Sequence, residues 1–203
     1  RQLKFGDIQA NLQYGATQAF VYAFTFVGGL FADKILGFRK SLYWGGFMMI
    51  IGSSLLAVDP HQFFFLGLSF IIIGTGFFKP NISTMVGELY KDGDDRRDAG
   101  FSLFYAGINL GAFLGGYFCV AIGKGNMFSG MIDEAHRWNV AFGLAAVGMI
   151  ISLINFFYTQ KSLGPIGLQP GHPHALVDTR APGRWTEYAV YIGTLLLIPI
   201  IQI

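Results

Sequence analysis

The chain has 203 residues, 53% of them hydrophobic and 13% charged, with a net charge of +2. Soluble domains carry about 25% charged residues, so a mean hydropathy of +0.49 excludes an ordinary water-soluble surface. The mild charge and a pI near 8.7 give no ground for a nucleic-acid partner, and a single cysteine, Cys119, excludes an internal disulfide.

Five blocks contain no Asp, Glu, Lys or Arg: 8–32, 41–58, 62–78, 99–123 and 138–160. About 20 apolar residues cross the hydrocarbon as helix, so the chain reads as an all-α polytopic membrane protein. A β-barrel would alternate apolar and polar residues, and Phe70 to Gly76 does not. Cys119 lies inside the fourth block and reads as a small buried thiol. The first residue is Arg1, with no secretory leader pattern after it, and a last apolar run begins at Tyr188 and reaches Ile203. The expectation is a fragment of a longer polypeptide.

The connections are polar. Asp33-Lys34 through Arg39-Lys40 join spans one and two, and Asp59-Pro60-His61 joins two and three. Residues 91–98 join three and four, and the looser 124–137 joins four and five. A Pro/Gly-rich stretch, 164–183, precedes the last apolar run. Lys34, Arg39, Lys40, Lys91, Arg96, Arg97, Lys161, Arg180 and Arg184 fall on one side; Arg1, Lys4, Lys124 and Arg137 fall on the other. Basic residues accumulate in cytoplasmic loops, so the richer side is expected to be cytoplasmic. With a cytoplasmic native amino terminus, one helix precedes the chain, which then holds helices two to six and the start of a further one. The expected division is a transmembrane bundle over 1–160, a cytoplasmic linker over 161–187 and a truncated further helix over 188–203.

Gly107, Gly111 and Gly115 fall four apart, a strip that lets a neighbouring backbone approach closely; Gly28-Gly29 and Gly45-Gly46 read the same way. Lys79 is the sharpest anomaly, because a lysine deep in a span costs roughly 2.5–3.5 kcal/mol on insertion scales. It either snorkels to the interface or faces a water-filled cavity. From Lys79 to Glu88 is about 13 Å of helix, longer than a lysine stem, which favours the cavity. Pro80 removes a backbone donor beside it and should loosen the helix.

Tyr105 and Asn109 share one face of the fourth span at i, i+4, where an amide needs partners from either another helix or a ligand. Tyr14, Gln18 and Tyr22 form a similar strip on the first span.

Other motifs fail in context. Gly74 to Lys79 has no strand before it, so a phosphate loop is a poor reading. Asp133-Glu134-Ala135-His136 spells a helicase box without its companion motif. His172 and His174 are two ligands where metal sites use four, so no metal and no cofactor are expected, nor is there a Ser/His/Asp or Cys/His set.

Three segments together resemble the proton-dependent oligopeptide transporter family, a branch of the major facilitator superfamily. Residues Gly28 to Lys40, Gly-Gly-Leu-Phe-Ala-Asp-Lys-Ile-Leu-Gly-Phe-Arg-Lys, look like the superfamily's loop between helices two and three. Gly74-Thr75-Gly76-Phe77-Phe78-Lys79-Pro80-Asn81 is similar to the family's helix four, and Phe104-Tyr105-Ala106-Gly107-Ile108-Asn109-Leu110-Gly111 to its helix five.

The resemblance implies a partial amino-terminal helix bundle of the superfamily, with di- and tripeptides and protons as partners in a bilayer, the bacterial inner membrane. It implies that Lys79 exchanges between a helix-one glutamate and a peptide carboxylate, coupling proton and substrate. Tyr22, Tyr105 and Asn109 would line the peptide site, and Asp33, Arg39 and Lys40 would belong to a cytoplasmic gating network. Pro80, Gly107 and Gly111 would serve gating or packing. Gly15 stands where animal members have a helix-two histidine, and the helix-one and carboxy-terminal partners lie outside the chain. Some family members carry nitrate or other small anions, which Lys79 would also suit. A membrane enzyme or channel subunit is the alternative of another class.

Overall fold

In a computed structural model, residues 6–91, 93–128, 130–170 and 183–201 are described. Arg1, Lys4, His172, His174 and Arg180, used above, lie outside them. Helices α1 (Asp7–Phe31), α2 (Phe38–Val58), α3 (Phe64–Glu88), α4 (Arg96–Gly123) and α5 (Arg137–Thr159) follow the apolar blocks in order. Each is long and apolar enough to cross a membrane. A shorter α6 (Arg184–Leu196) and a final turn, α7 (Ile198–Ile201), complete the described chain.

The connection between α1 and α2 is tighter than the charged stretch 33–40 suggests. The helix widens into a π-helical turn over Ala32–Leu36, closed by the Gly37 N–H donating to the Ala32 carbonyl at 2.9 Å. Gly37 then takes φ +75°, a conformation that only glycine adopts without strain. A Cβ there would also strike the backbone of Gln169. One glycine reverses the chain.

Helix α3 sits at the centre, packed on α2 along one side and α1 along the other. Paired glycines make both approaches close. Gly45 lies against Gly74 and Gly52 against Gly67, and a Cβ on Gly45 or Gly74 would come 2.6 Å from the other's carbonyl oxygen. Without a water-driven hydrophobic effect in lipid, such backbone proximity supplies the dispersion contacts that hold the helices together.

The α1–α3 contact is built around Pro80. Proline has no N–H, so the Gly76 carbonyl loses its helical donor, yet α3 continues as α-helix to Glu88. Gly28 of α1 lies directly against that carbonyl, and any Cβ on it would collide with the oxygen. Asn81, buried, donates from Nδ2 to the Phe77 carbonyl at 2.6 Å and reaches the Gly28 carbonyl at 3.5 Å. The next carbonyls are met by hydroxyls, Ser83 Oγ on Lys79 at 3.3 Å and Thr84 Oγ1 on Pro80 at 3.2 Å.

Helix α5 packs on α2 with Leu153 lying over Gly46. Asn139 Nδ2 donates to the Ala57 and Val58 carbonyls at 2.9 and 3.0 Å, meeting acceptors that the end of α2 leaves open. Cys119 is half-buried rather than fully enclosed, its Sγ 3.5 Å from the Ala141 carbonyl. The core holds Leu36, Met48, Ile73 and Phe77, extended by Val190, Ile198 and Ile201 from the last two helices.

Gly28→Ala should lower the thermal unfolding midpoint of the full-length protein in detergent, because overpacking costs about 1–3 kcal/mol. Gly29→Ala, whose Cβ meets only Pro80 Cβ at 3.9 Å, should leave the midpoint unchanged or raise it, since alanine is the better helix former by about 0.5–1 kcal/mol. Equal midpoints for the two variants would contradict the close approach.

Candidate functional site

Lys79 is exposed, whereas Phe77 and Asn81, two residues to either side, are buried. At 100° per residue the lysine therefore leaves α3 on the side opposite its packed face. Its Nζ lies 5.9 Å from the centroid of the Tyr22 ring, within cation–π range. Helices α1 and α3 run parallel, with Gly28 level with Gly76. Tyr22 is thus more than a turn nearer the helix N-termini than Lys79. The lysine stem runs back toward the middle of the span, the direction in which helical side chains lean, and away from Glu88. Among the described residues no carboxylate lies within ion-pair distance of it.

Tyr105 and Asn109 are exposed, as is all of α4 from 105 to 118, and the Tyr105 ring lies 5.6 Å from that of Phe104 and 6.4 Å from that of Phe101. Helix α4 runs antiparallel to α3, and the two meet where Phe101 lies beside Gly87 and Tyr90 beside Gly100. Eight residues back along α3 from Gly87 is Lys79; eight forward along α4 from Phe101 is Asn109. Both are about 12 Å of helix from the contact, so Asn109 is level with Lys79 and Tyr105 lies lower. No hydrogen bond joins the two groups among the described residues. A Cβ on Gly107, Gly111 or Gly115 would meet nothing within 4 Å, so no described helix approaches that strip. On α1, Tyr14 is exposed and Gln18 half-buried.

At the α2 N-terminus the basic residues have acquired partners from far along the chain. Arg39 donates from Nε to the Ile166 carbonyl at 2.8 Å and from Nη2 to the Gly164 carbonyl at 2.6 Å. Lys40 Nζ lies 2.7 Å from both Gln169 Oε1 and Glu187 Oε2. Gln169 Nε2 donates in turn to Glu187 Oε1 at 2.6 Å and to the Ile35 carbonyl at 3.0 Å. The Gly167 N–H donates to Glu88 Oε2 at 3.2 Å. Asp33 is exposed and has no ion pair among the described residues. The segment after α5 is therefore strapped across the ends of α1, α2 and α3.

Gln169, Glu187 and Glu88 were not visible as partners in the sequence. They sit up to 147 residues from Lys40, and no local period links them. In the α3–α4 turn, the Arg96 side chain and backbone N–H both donate to Asp94, holding its carboxyl at a pKa of about 2.

Burial alone would raise the Glu187 carboxyl, but the hydrogen bonds from Lys40 and Gln169 outweigh it and hold the group below its ordinary value. A depressed carboxylate contributes its tie fully above about pH 4.3, the unperturbed value, and loses it as pH falls through the folded value. The protection factors of the α6 amides, taken against the intrinsic rate at each pH, should accordingly fall below about pH 4, and Glu187→Gln should lower them at pH 7. Unchanged protection in the variant would remove the Lys40–Glu187 pair as the tether.

Comparison with known proteins identifies the family of the chain. The profile of the POT family matches residues 39–171. The peptide transporter YePEPT of Yersinia enterocolitica is 39% identical over 202 residues, covering 96% of this chain and 38% of its own length. A di-/tripeptide transporter of Lactococcus lactis is 37% identical over 165 residues, covering 80% of this chain and 31% of its own. Among solved structures, tetrameric PepTSo2 superposes with a TM-score of 0.86 at 27% identity, over 100% of this chain and 42% of that one. A peptide transporter POT in complex with alafosfalin gives 0.70 at 34% identity, over 93% of this chain and 36% of its own. The chain thus spans less than half the length of these relatives. With its five apolar helices in the order and packing of these transporters, the chain belongs to the POT family.

Proposed function

We propose that the chain is the part of a proton-coupled symporter of di- and tripeptides that holds the substrate's carboxylate, working in the cytoplasmic membrane of a bacterial cell. The observation that carries this reading is the Lys79 ammonium, turned toward mid-span beside Tyr22 and without a described carboxylate partner. Two unit charges 4 Å apart attract by about 4 kcal/mol at an effective dielectric constant of 20. The free carboxylate of a short peptide supplies the missing charge. Tyr22, Tyr105 and Asn109 then offer a phenol on α1 and a phenol and amide on α4 to the peptide's polar groups.

Proton coupling follows from competition for the same ammonium. In the family arrangement a helix-one glutamate occupies Lys79 when ionised. When that glutamate takes up a proton the pair dissolves, and the lysine is released to the peptide. Proton and cargo then favour the same state by differential affinity, and two halves rocking about the site alternate its access. In this reading residues 1–160 belong to the moving bundle, 161–187 to the linker on the cytoplasmic side, and 188–203 to a further helix. Asp33, Arg39 and Lys40 close the cytoplasmic end, Pro80 loosens α3, and Gly107 and Gly111 offer a small-residue face of α4 to a partner outside the described residues. An unpaired cation also suits a small anion such as nitrate, so both cargoes belong in the assay.

In the full-length protein in liposomes, Lys79→Gln should abolish peptide uptake driven by a pH gradient while insertion and unfolding temperature stay near wild type. Retained uptake would count against the assignment. Tyr22→Phe should weaken competition by dialanine roughly ten-fold, the loss of one hydrogen bond to a charged or polar group. Nitrate accumulation without peptide competition would favour the anion reading.

A further inference from the structure

We infer that an anionic phospholipid binds on the outer face of the bundle, in a groove between α2, α5 and α6. The groove has a volume of 370 Å³ and is lined by Lys40, Tyr43, Trp44, Phe47, Leu153 and Tyr191. It lies at the end of the bundle that carries Lys34, Arg39, Lys40, Lys91, Arg96, Arg97 and Lys161, and its lining grades from charged to apolar along α2.

The walls are held in place before any ligand arrives. The Tyr43 ring packs 5.3 Å from Phe156 of α5, and the Trp44 ring 4.6 Å from Tyr191 of α6. The Trp44 indole N–H donates to Thr194 Oγ1 at 3.3 Å, which satisfies its one polar atom. Phe47, by contrast, is 52% exposed and gives the groove an open apolar floor.

The one charged residue of the lining is already paired, and the uncompensated charge stands one position before it on α2, beside the groove. Lys40 is neutralised by Glu187 at 2.7 Å. Arg39 is not: its guanidinium bonds only the neutral carbonyls of Ile166 and Gly164, and no described carboxylate pairs with it. It borders a second hollow of 550 Å³ with Gly164, Pro165 and Leu168. One turn along the same face of α2, the Tyr43 hydroxyl is buried and has no hydrogen-bond partner. A cation and an unused hydroxyl at i, i+4, above an aromatic apolar channel, match a phosphodiester joined to an acyl chain. A free anion would leave the channel empty, and a neutral lipid would leave the arginine unpaired. Basic pockets between membrane helices at the cytoplasmic surface bind anionic headgroups by this combination.

The test uses the full-length protein in detergent with palmitoyl-oleoyl phosphatidylglycerol, counting bound lipid by native mass spectrometry. Phosphatidylcholine and inorganic phosphate are the comparison ligands. One phosphatidylglycerol per chain should survive at lipid concentrations that leave phosphatidylcholine unbound, and inorganic phosphate should not displace it. Tyr43→Phe, which keeps the ring packing, should weaken retention roughly ten-fold, the value of one hydrogen bond to a charged group. Phe47→Ala, on an exposed position, should weaken it similarly without lowering the unfolding temperature. Equal retention of the two lipids, displacement by inorganic phosphate, or unchanged retention in Tyr43→Phe would each overturn the site.

Discussion

A proline one residue after a lysine sets the terms for everything around it. Pro80 leaves the Gly76 carbonyl without a helical donor, and Gly28 brings α1 against that carbonyl more closely than any residue with a Cβ allows. Asn81 ties the same two helices through the Phe77 and Gly28 carbonyls. With α1 held there, Tyr22 falls where the Lys79 stem reaches it, and the ammonium points along the span instead of out of it. The chemistry proposed for the lysine thus rests on a backbone contact made possible by two glycines.

The strap beyond α5 has a different character. It is built from hydrogen bonds and one ion pair, between groups that are exposed or half-buried, rather than from backbone packing. Exposed ion pairs contribute only about 0–1 kcal/mol each, so this connection is the softer one and responds to pH where the glycine contacts do not. Bonds to Ile35, Arg39, Lys40 and Glu88 let a shift of the strap reach the ends of α1, α2 and α3 together.

Much of the fold was legible in the sequence, because apolar block length alone dictates where helices cross lipid. The blocks at 8–32, 41–58, 99–123 and 138–160 became α1, α2, α4 and α5 within a few residues at each end. What was not legible depends on pairs distant in the chain. That Lys79 is costly could be read from its neighbours; which way its stem points depends on the parallel run of α1 and α3. The four-residue spacing of Gly107, Gly111 and Gly115 announced a face made for close approach, but spacing does not say what covers it, and no described helix does. Gln169 and Glu187 lay in a stretch whose composition said only loop, and the π turn before Gly37 has no periodic signature.

The central claim is that the group at position 79 stands in water within the span and within reach of the cargo. The most direct measurement is the reaction of Lys79→Cys with a membrane-impermeant thiol reagent, in full-length protein lacking Cys119 and reconstituted in liposomes. The account predicts rapid labelling by a cationic methanethiosulfonate, which returns a positive charge to position 79 and restores the dialanine binding that the cysteine variant lacks. A position 79 thiol that stays unlabelled, or a cysteine variant that binds dialanine as wild type does before labelling, would contradict it.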